Sequence, residues 1–209
     1  MAILPILKYP DIRLRQVAKE VTVFDEHLAQ LAADMEETMF DSKGVGIAAP
    51  QVGQSLSLFL VNYGKEKDGT GLGVVAFVNP KIEKCLGKIE SEEGCLSVVD
   101  FRAKVTRASY IEVTAQDLNG EYFSVEHNDH FATVLQHELD HLVGTLFVDH
   151  ISHIKREAYN KKLAQDKKER DKKARAEETK RMNDDKADKV KIITSTPKAP
   201  VTTPAGEGD

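Results

Sequence analysis

At 209 residues, 41% of them hydrophobic and 30% charged, the chain is long enough for one domain with a sizeable core and short for two. No apolar run approaches the ~18 residues of a membrane span, and Met1 to Pro10 carries neither a basic leader nor a small-residue cleavage site, so a cytoplasmic protein is expected, with no membrane or DNA partner. Two cysteines, Cys85 and Cys95, are too few for a disulfide framework and suit a reducing compartment where a thiolate is free to bind metal.

The net charge of -5 is unevenly spread: residues 1–152 carry 13 Lys+Arg against 23 Asp+Glu, and residues 153–209 carry 16 against 11. An acidic body therefore bears a basic tail. Val23 to Phe40 sets Leu28, Leu31, Ala32, Met35 and Met39 at helical spacing behind Asp25, a residue suited to start a helix. The glycines and proline of Gly44 to Gln51 argue against its continuation. Ser55 to Asn62 and Gly73 to Asn79 read as strands closed by turn residues, and Lys104 to Ala115 as a further strand. Asp117-Leu118-Asn119-Gly120 reads as a hairpin turn before Tyr122 to Val125. Phe131 to Val143 returns to helical spacing through Val134, Leu135, Leu139 and Leu142. Helix, strands, then helix implies an α+β domain of antiparallel sheet around a central helix.

That second helix carries the chemistry. His137 and His141 are spaced i, i+4 on one face, close enough to share a divalent metal, with Glu138 directly after the first. A catalytic site of this kind takes a third protein ligand and leaves a position for water. Cys95, His127, His130, Asp140, Asp149 and His150 are the candidates, and Cys95 is preferred because Gly94 beside it permits close approach and a thiolate suits softer transition metals. Asp140 points about 100° around the helix from His141 and suits a supporting role. Cys85, His27, His127, His130, His150 and His153 read as structural or surface residues. A zincin-type metallopeptidase would share the helical pair and take its third ligand downstream, where Glu157 is available.

Three blocks, Gly44 to Gln51, Glu93 to Ser97 and Gln136 to Gly144, resemble in order and separation the motifs of the bacterial peptide deformylases. Tyr9-Pro10-Asp11, Leu14-Arg15 and Phe147-Val148-Asp149 are also similar to that family. The resemblance implies a metal-dependent hydrolase that removes the formyl group from N-formylmethionyl nascent peptides. It implies Cys95, His137 and His141 as metal ligands, Glu138 as general acid/base, and the Gln51 side chain with the Leu96 N–H as oxyanion donors. It points to Fe(2+) first, with Zn, Ni or Co suited to the same donors. Extended substrate would lie along Gly46, its methionine against Val45, Leu96 and Val134, with Phe131 and Thr133 as further candidates; Arg102 would steer the peptide, and Arg107 would pair with Asp140. Val99 departs from the family, which often has proline there.

The catalytic domain is expected over 1–163 and a charged extension over 164–209. Behind Ser152, the Lys-, Arg-, Glu- and Ala-rich run to about Met182 favours a helix with little to bury, and beyond Asn183 the composition turns to that of a disordered tail. Contact with the ribosome through this basic helix is a further expectation.

Overall fold

The Asp25 carboxylate accepts a hydrogen bond from the Leu28 N–H at 3.0 Å, and α1 (Glu26–Asp41) follows from that cap. The computed structural model describes residues 2–64 and 72–194, in which seven strands accompany α1, α2 (His130–Leu142) and α3 (His153–Thr194). Strands β1 (Gly46–Ala48), β2 (Leu58–Asn62), β3 (Val74–Leu86), β6 (Tyr110–Gln116) and β7 (Tyr122–His127) form one antiparallel sheet in that order. Between β3 and β6 in sequence, β4 (Ile89–Cys95) and β5 (Val98–Arg107) make a separate hairpin.

The strand period decides where the helices go. In β2, Leu58 and Leu60 belong to a core with Leu28, Ala32, Met35 and Met39 of α1. Their alternates Phe59 and Val61 join Phe77, Ile111 and Val113 in a second core with Ala132, Leu135 and Leu142 of α2. A strand buried on both faces reads as a continuous apolar run, which Leu58 to Val61 is. Each such side chain contributes roughly 1.5–3 kcal/mol on burial, so α2 is held firmly by its apolar stripe while its opposite face is free for polar groups. The α+β architecture with a central helix is as expected.

Two strands differ from expectation. β3 does not close at Asn79 but runs on to Leu86, with register shifts between Val78 and Lys81 and again between Ile82 and Lys84. Asn79 takes a positive φ of 48°, and its amide grips both backbone groups of Val21 at 2.8 Å; Pro80 has no N–H to leave unpaired, so a bulge absorbs what looked like a turn. Lys104 to Ala115 is two strands, because the Gln136 side chain takes both the N–H and the carbonyl of Ala108, at 2.9 and 3.0 Å, in place of a strand partner. The acidic run of β4 shows no apolar alternation that would mark its bounds.

The N-terminal segment is laced to the loops around α2. Leu7 N–H donates to the Gln51 carbonyl at 2.7 Å, Tyr9 N–H to the Ser97 carbonyl at 2.8 Å, and Ala18 N–H to the Leu142 carbonyl at 2.8 Å. Arg15 pairs with Asp149 and reaches the Gly144 carbonyl, which brings together the two outlying stretches that the sequence singled out. The Asp149 carboxyl is held below its ordinary range: burial opposes this, but Arg15, the Leu146 N–H and Arg156 outweigh it.

The chain divides into two compact units, Met1–Arg156 and Glu157–Asp209. In the second, α3 continues to Thr194, beyond the Met182 at which helical composition was expected to end. The expected disorder of the Ser195-Thr196-Pro197 stretch and of Pro200 and Pro204 lies outside the described residues. No described helix is long and apolar enough to cross a membrane.

Candidate active site

A cleft of about 700 Å³ is lined by the α1–β1 loop, both strands of the hairpin and α2. Gln51 enters it from the 3-10 turn Ala49–Val52 and is 1% exposed. Its Oε1 accepts from the Ala48 N–H at 2.8 Å, which fixes the amide so that Nε2 points the other way, to Ser97 Oγ at 3.2 Å and Cys95 Sγ at 3.4 Å. A donor held in this way is preorganised.

Cys95 stands at the tip of the β4–β5 hairpin, where it pairs with Val98 although the preceding Gly94 pairs with Arg102. That register shift leaves Val99, Asp100 and Phe101 as extra residues on β5, and Asp100 takes a φ of +53° to make the bend. A bulge of this kind re-aims the side chain opposite it, here the thiol. Gly44 and Gly46 serve close approach: a Cβ on Gly44 would lie 3.0 Å from the Leu96 side chain, and one on Gly46 would lie 2.5 Å from Glu138 Oε1.

From α2, His137, Glu138 and His141 face the hairpin tip. The ligand atoms of Cys95, His137 and His141 all lie within 4.8 Å of one another, and they are the metal-capable group among the described residues; Glu157 is not part of it. Cys95 Sγ is 3.3 Å from His141 Nε2. His137 Nδ1 is 2.8 Å from Glu93 Oε2, which leaves its Nε2 for a ligand. Glu93 in turn takes Arg107 through two bonds, at 2.7 and 3.0 Å, and Arg107 Nη1 reaches Asp140 at 2.6 Å.

Electrostatics agree with this geometry. Burial alone would raise the Glu93 carboxyl, but its bonds to Arg107 and His137 hold it down to about 2. Burial likewise opposes charge on His137, yet Cys95 and Glu93 lift it well above the usual imidazole value. Burial, then the charges of His137 and Arg107, push His141 well below that value and keep it in the neutral form that offers a lone pair. Burial raises Glu138 to about 7, and Glu93 and Asp140 add to that against His137 and Arg107. Its Oε2 is buried with no hydrogen-bond partner among the described residues. One thiol, two imidazoles and a facing, unengaged carboxyl fit a transition metal with a hydrolytic function.

Val45, Gly46, Leu96, Arg102, Thr133 and Val134 line the cleft as well. Phe131 does not; it packs on Tyr63 at 4.5 Å and His127 at 5.7 Å between ring centroids. Of the histidines read as structural or surface residues, His130 and His150 are exposed; His130 also borders the cleft, and His150 bonds to Asp140. Glu93 and Ser97 also lay inside a recognised block without a role. Position i-2 to Cys95 shares its face once β4 is known to be a strand, so the signal for Glu93 is conditional on an element that the acidic run conceals.

The comparisons converge. A family model described as polypeptide deformylase matches residues 3–157. A peptide deformylase of Desulfotalea psychrophila is 48% identical over 163 residues, 78% of this chain and 96% of that one. The crystal structure of a Legionella pneumophila peptide deformylase matches with a TM-score of 0.73 at 43% identity, covering 81% of this chain and 98% of that one. A Met-Ala-Ser-bound class I type b peptide deformylase from Acinetobacter baumannii has a TM-score of 0.67 at 37% identity, over 72% and 99%.

Proposed function

The chain belongs to the polypeptide deformylase family, and from that membership we propose the roles its cleft residues take. It is a metal-dependent hydrolase that removes the formyl group from the N-terminal formylmethionine of newly made proteins. Cys95, His137 and His141 would hold one divalent ion, Fe(2+) before Zn, Ni or Co, and the thiolate would make an iron site oxygen-sensitive. Such an ion supplies Lewis acidity, which lowers the pKa of water toward neutrality and polarises a carbonyl.

The remaining steps belong to side chains. Glu138 takes the proton of the attacking water as its oxygen bonds to the formyl carbon. Negative charge then collects on the former carbonyl oxygen, where Gln51 Nε2 and the Leu96 N–H donate to it. As the carbon–nitrogen bond breaks, Glu138 passes the proton to the departing amine; formate and a free N-terminus are the products. The peptide lies extended along Gly46, with methionine against Val45, Leu96 and Val134 and with Arg102 beside the backbone, in keeping with a relative that binds Met-Ala-Ser.

The observation that carries this reading is the meeting of three ligand atoms within 4.8 Å beside the unengaged Glu138 carboxyl. Protein purified without oxygen should contain one equivalent of metal and release formate from formyl-Met-Ala-Ser. Metal-loaded protein that leaves this peptide intact would refute it.

Residues 1–163 form the catalytic domain in this reading, 164–209 a charged extension, and the cytoplasm is the compartment. Spacings such as Glu157 to Lys161, Glu169 to Lys173 and Asp171 to Arg175 support an isolated helix by roughly 0.2–0.5 kcal/mol each. The basic excess of that helix suits contact with ribosomal RNA phosphates. Truncation after Leu163 should then weaken co-sedimentation with ribosomes at low salt, and unchanged co-sedimentation would rule the contact out.

A further inference from the structure

The hydrogen bonds behind His137 run through Glu93, Arg107 and Asp140 and end at His150, on the residue after the 3-10 turn Phe147–Asp149. His150 Nε2 lies 2.7 Å from Asp140 Oδ2 and 3.3 Å from Arg107 Nη1. A carboxylate only accepts and a guanidinium only donates, so the shorter contact requires the proton to sit on Nε2 and point at Asp140. Asp140 Oδ2 then accepts from Arg107 and His150 together.

Charge explains why a second donor belongs there. Two carboxylates, Glu93 and Asp140, face the single guanidinium of Arg107, whose side chain is 5% exposed. Asp140 shares that guanidinium with Glu93, and His150 supplies Asp140 with a second N–H in a partly buried place. The same turn holds the ligand ring from a second side, because Phe147 stacks on His137 with centroids 6.1 Å apart. Its own position is secured by Asp149, which accepts from the Leu146 N–H at 2.9 Å and pairs with Arg15.

We propose that His150 is a positioning residue for deformylation: by holding Asp140 and Arg107 in place it keeps Glu93 on His137 Nδ1, and so fixes the ring orientation and the grip of the site on its metal. The inference rests on the reading of Cys95, His137 and His141 as the metal ligands. It is separate from the catalytic steps, since His150 is not among the residues lining the cleft.

The test uses Co(II) alone as the probe, with its affinity measured by competition against a chelator in the full chain. H150L removes the donor, whereas H150Q can still present an N–H to Asp140. Loss of an outer partner of a metal ligand weakens binding by about 10- to 100-fold, and at this remove the lower end applies, so H150L should bind Co(II) about tenfold more weakly. Its kcat should fall with KM unchanged, and H150Q should restore both affinity and kcat. If H150L lowers the Tm of the metal-free protein, H150N, polar but too short to reach Asp140, carries the same expectation. Co(II) affinity and kcat within about twofold of the parent in H150L, or an H150Q as weak as H150L, would overturn the proposal. A parent chain that binds no Co(II) would overturn the ligand reading and His150's role with it.

Discussion

Replacing Glu138 by Gln should lower kcat for formyl-Met peptides by about 10²- to 10⁴-fold while metal content and Tm hold. The size of the effect follows from the two proton transfers assigned to this carboxyl, together about 3–5 kcal/mol of barrier. Gln is the informative variant because space at Glu138 is tightly defined: the residue is 4% exposed, and Gly46 comes so close that a Cβ there would lie 2.5 Å from Oε1. An amide fills that volume but cannot take a proton from water. It also carries no charge in a buried place, so nothing in the substitution should lower Tm. Ala would leave a cavity as well and confuse chemistry with packing. Steady-state kinetics beside a metal assay and a melting curve decide the matter. An E138Q chain within tenfold of the parent kcat would take the proton from Glu138 and require another base in the cleft.

Why Glu138 was legible in the sequence and Glu93 was not is a question of range. His137, Glu138 and His141 lie within two turns of one helix, so their spacing alone implies a shared face. Asp25 and the apolar stripe of α1 are local in the same sense. Glu93 acquires its role from Arg107, fourteen positions on, through the β4–β5 register, and its acidic neighbours hide the strand that makes the pairing. His150 depends on Asp140, ten positions back, and on Arg107, 43 positions back, and a lone histidine after a short turn carries no signal of either. The corner at Ala108 is likewise made by a side chain from α2, and the continuation of β3 past Asn79-Pro80 by a bulge that those residues tolerate but do not announce. Helical periodicity survives tertiary context here; strand ends and charged pairs are set by it.

Cys95→Ala should abolish stoichiometric metal binding and, with it, deformylation. An outer partner of a metal ligand costs about 10- to 100-fold in affinity, so deletion of the thiolate itself should exceed that range. Its place in the fold makes the loss hard to repair. The bulge opposite Cys95 sets the direction of this one side chain, and the metal-capable group among the described residues contains no fourth donor to replace it. Stability supplies a second readout, because a metal that binds only the folded state stabilises it by mass action, about 4 kcal/mol at a thousand times its Kd. Parent protein should therefore lose Tm on chelation, whereas C95A should melt with the chelated parent and ignore the chelator. Gln51 Nε2 loses only a 3.4 Å contact to the sulfur and keeps Ser97 at 3.2 Å, so the oxyanion donor should stay in place and the defect should trace to the metal. A C95A chain that still holds one equivalent of metal would remove the thiolate from the ligand set and require another donor beside His137 and His141.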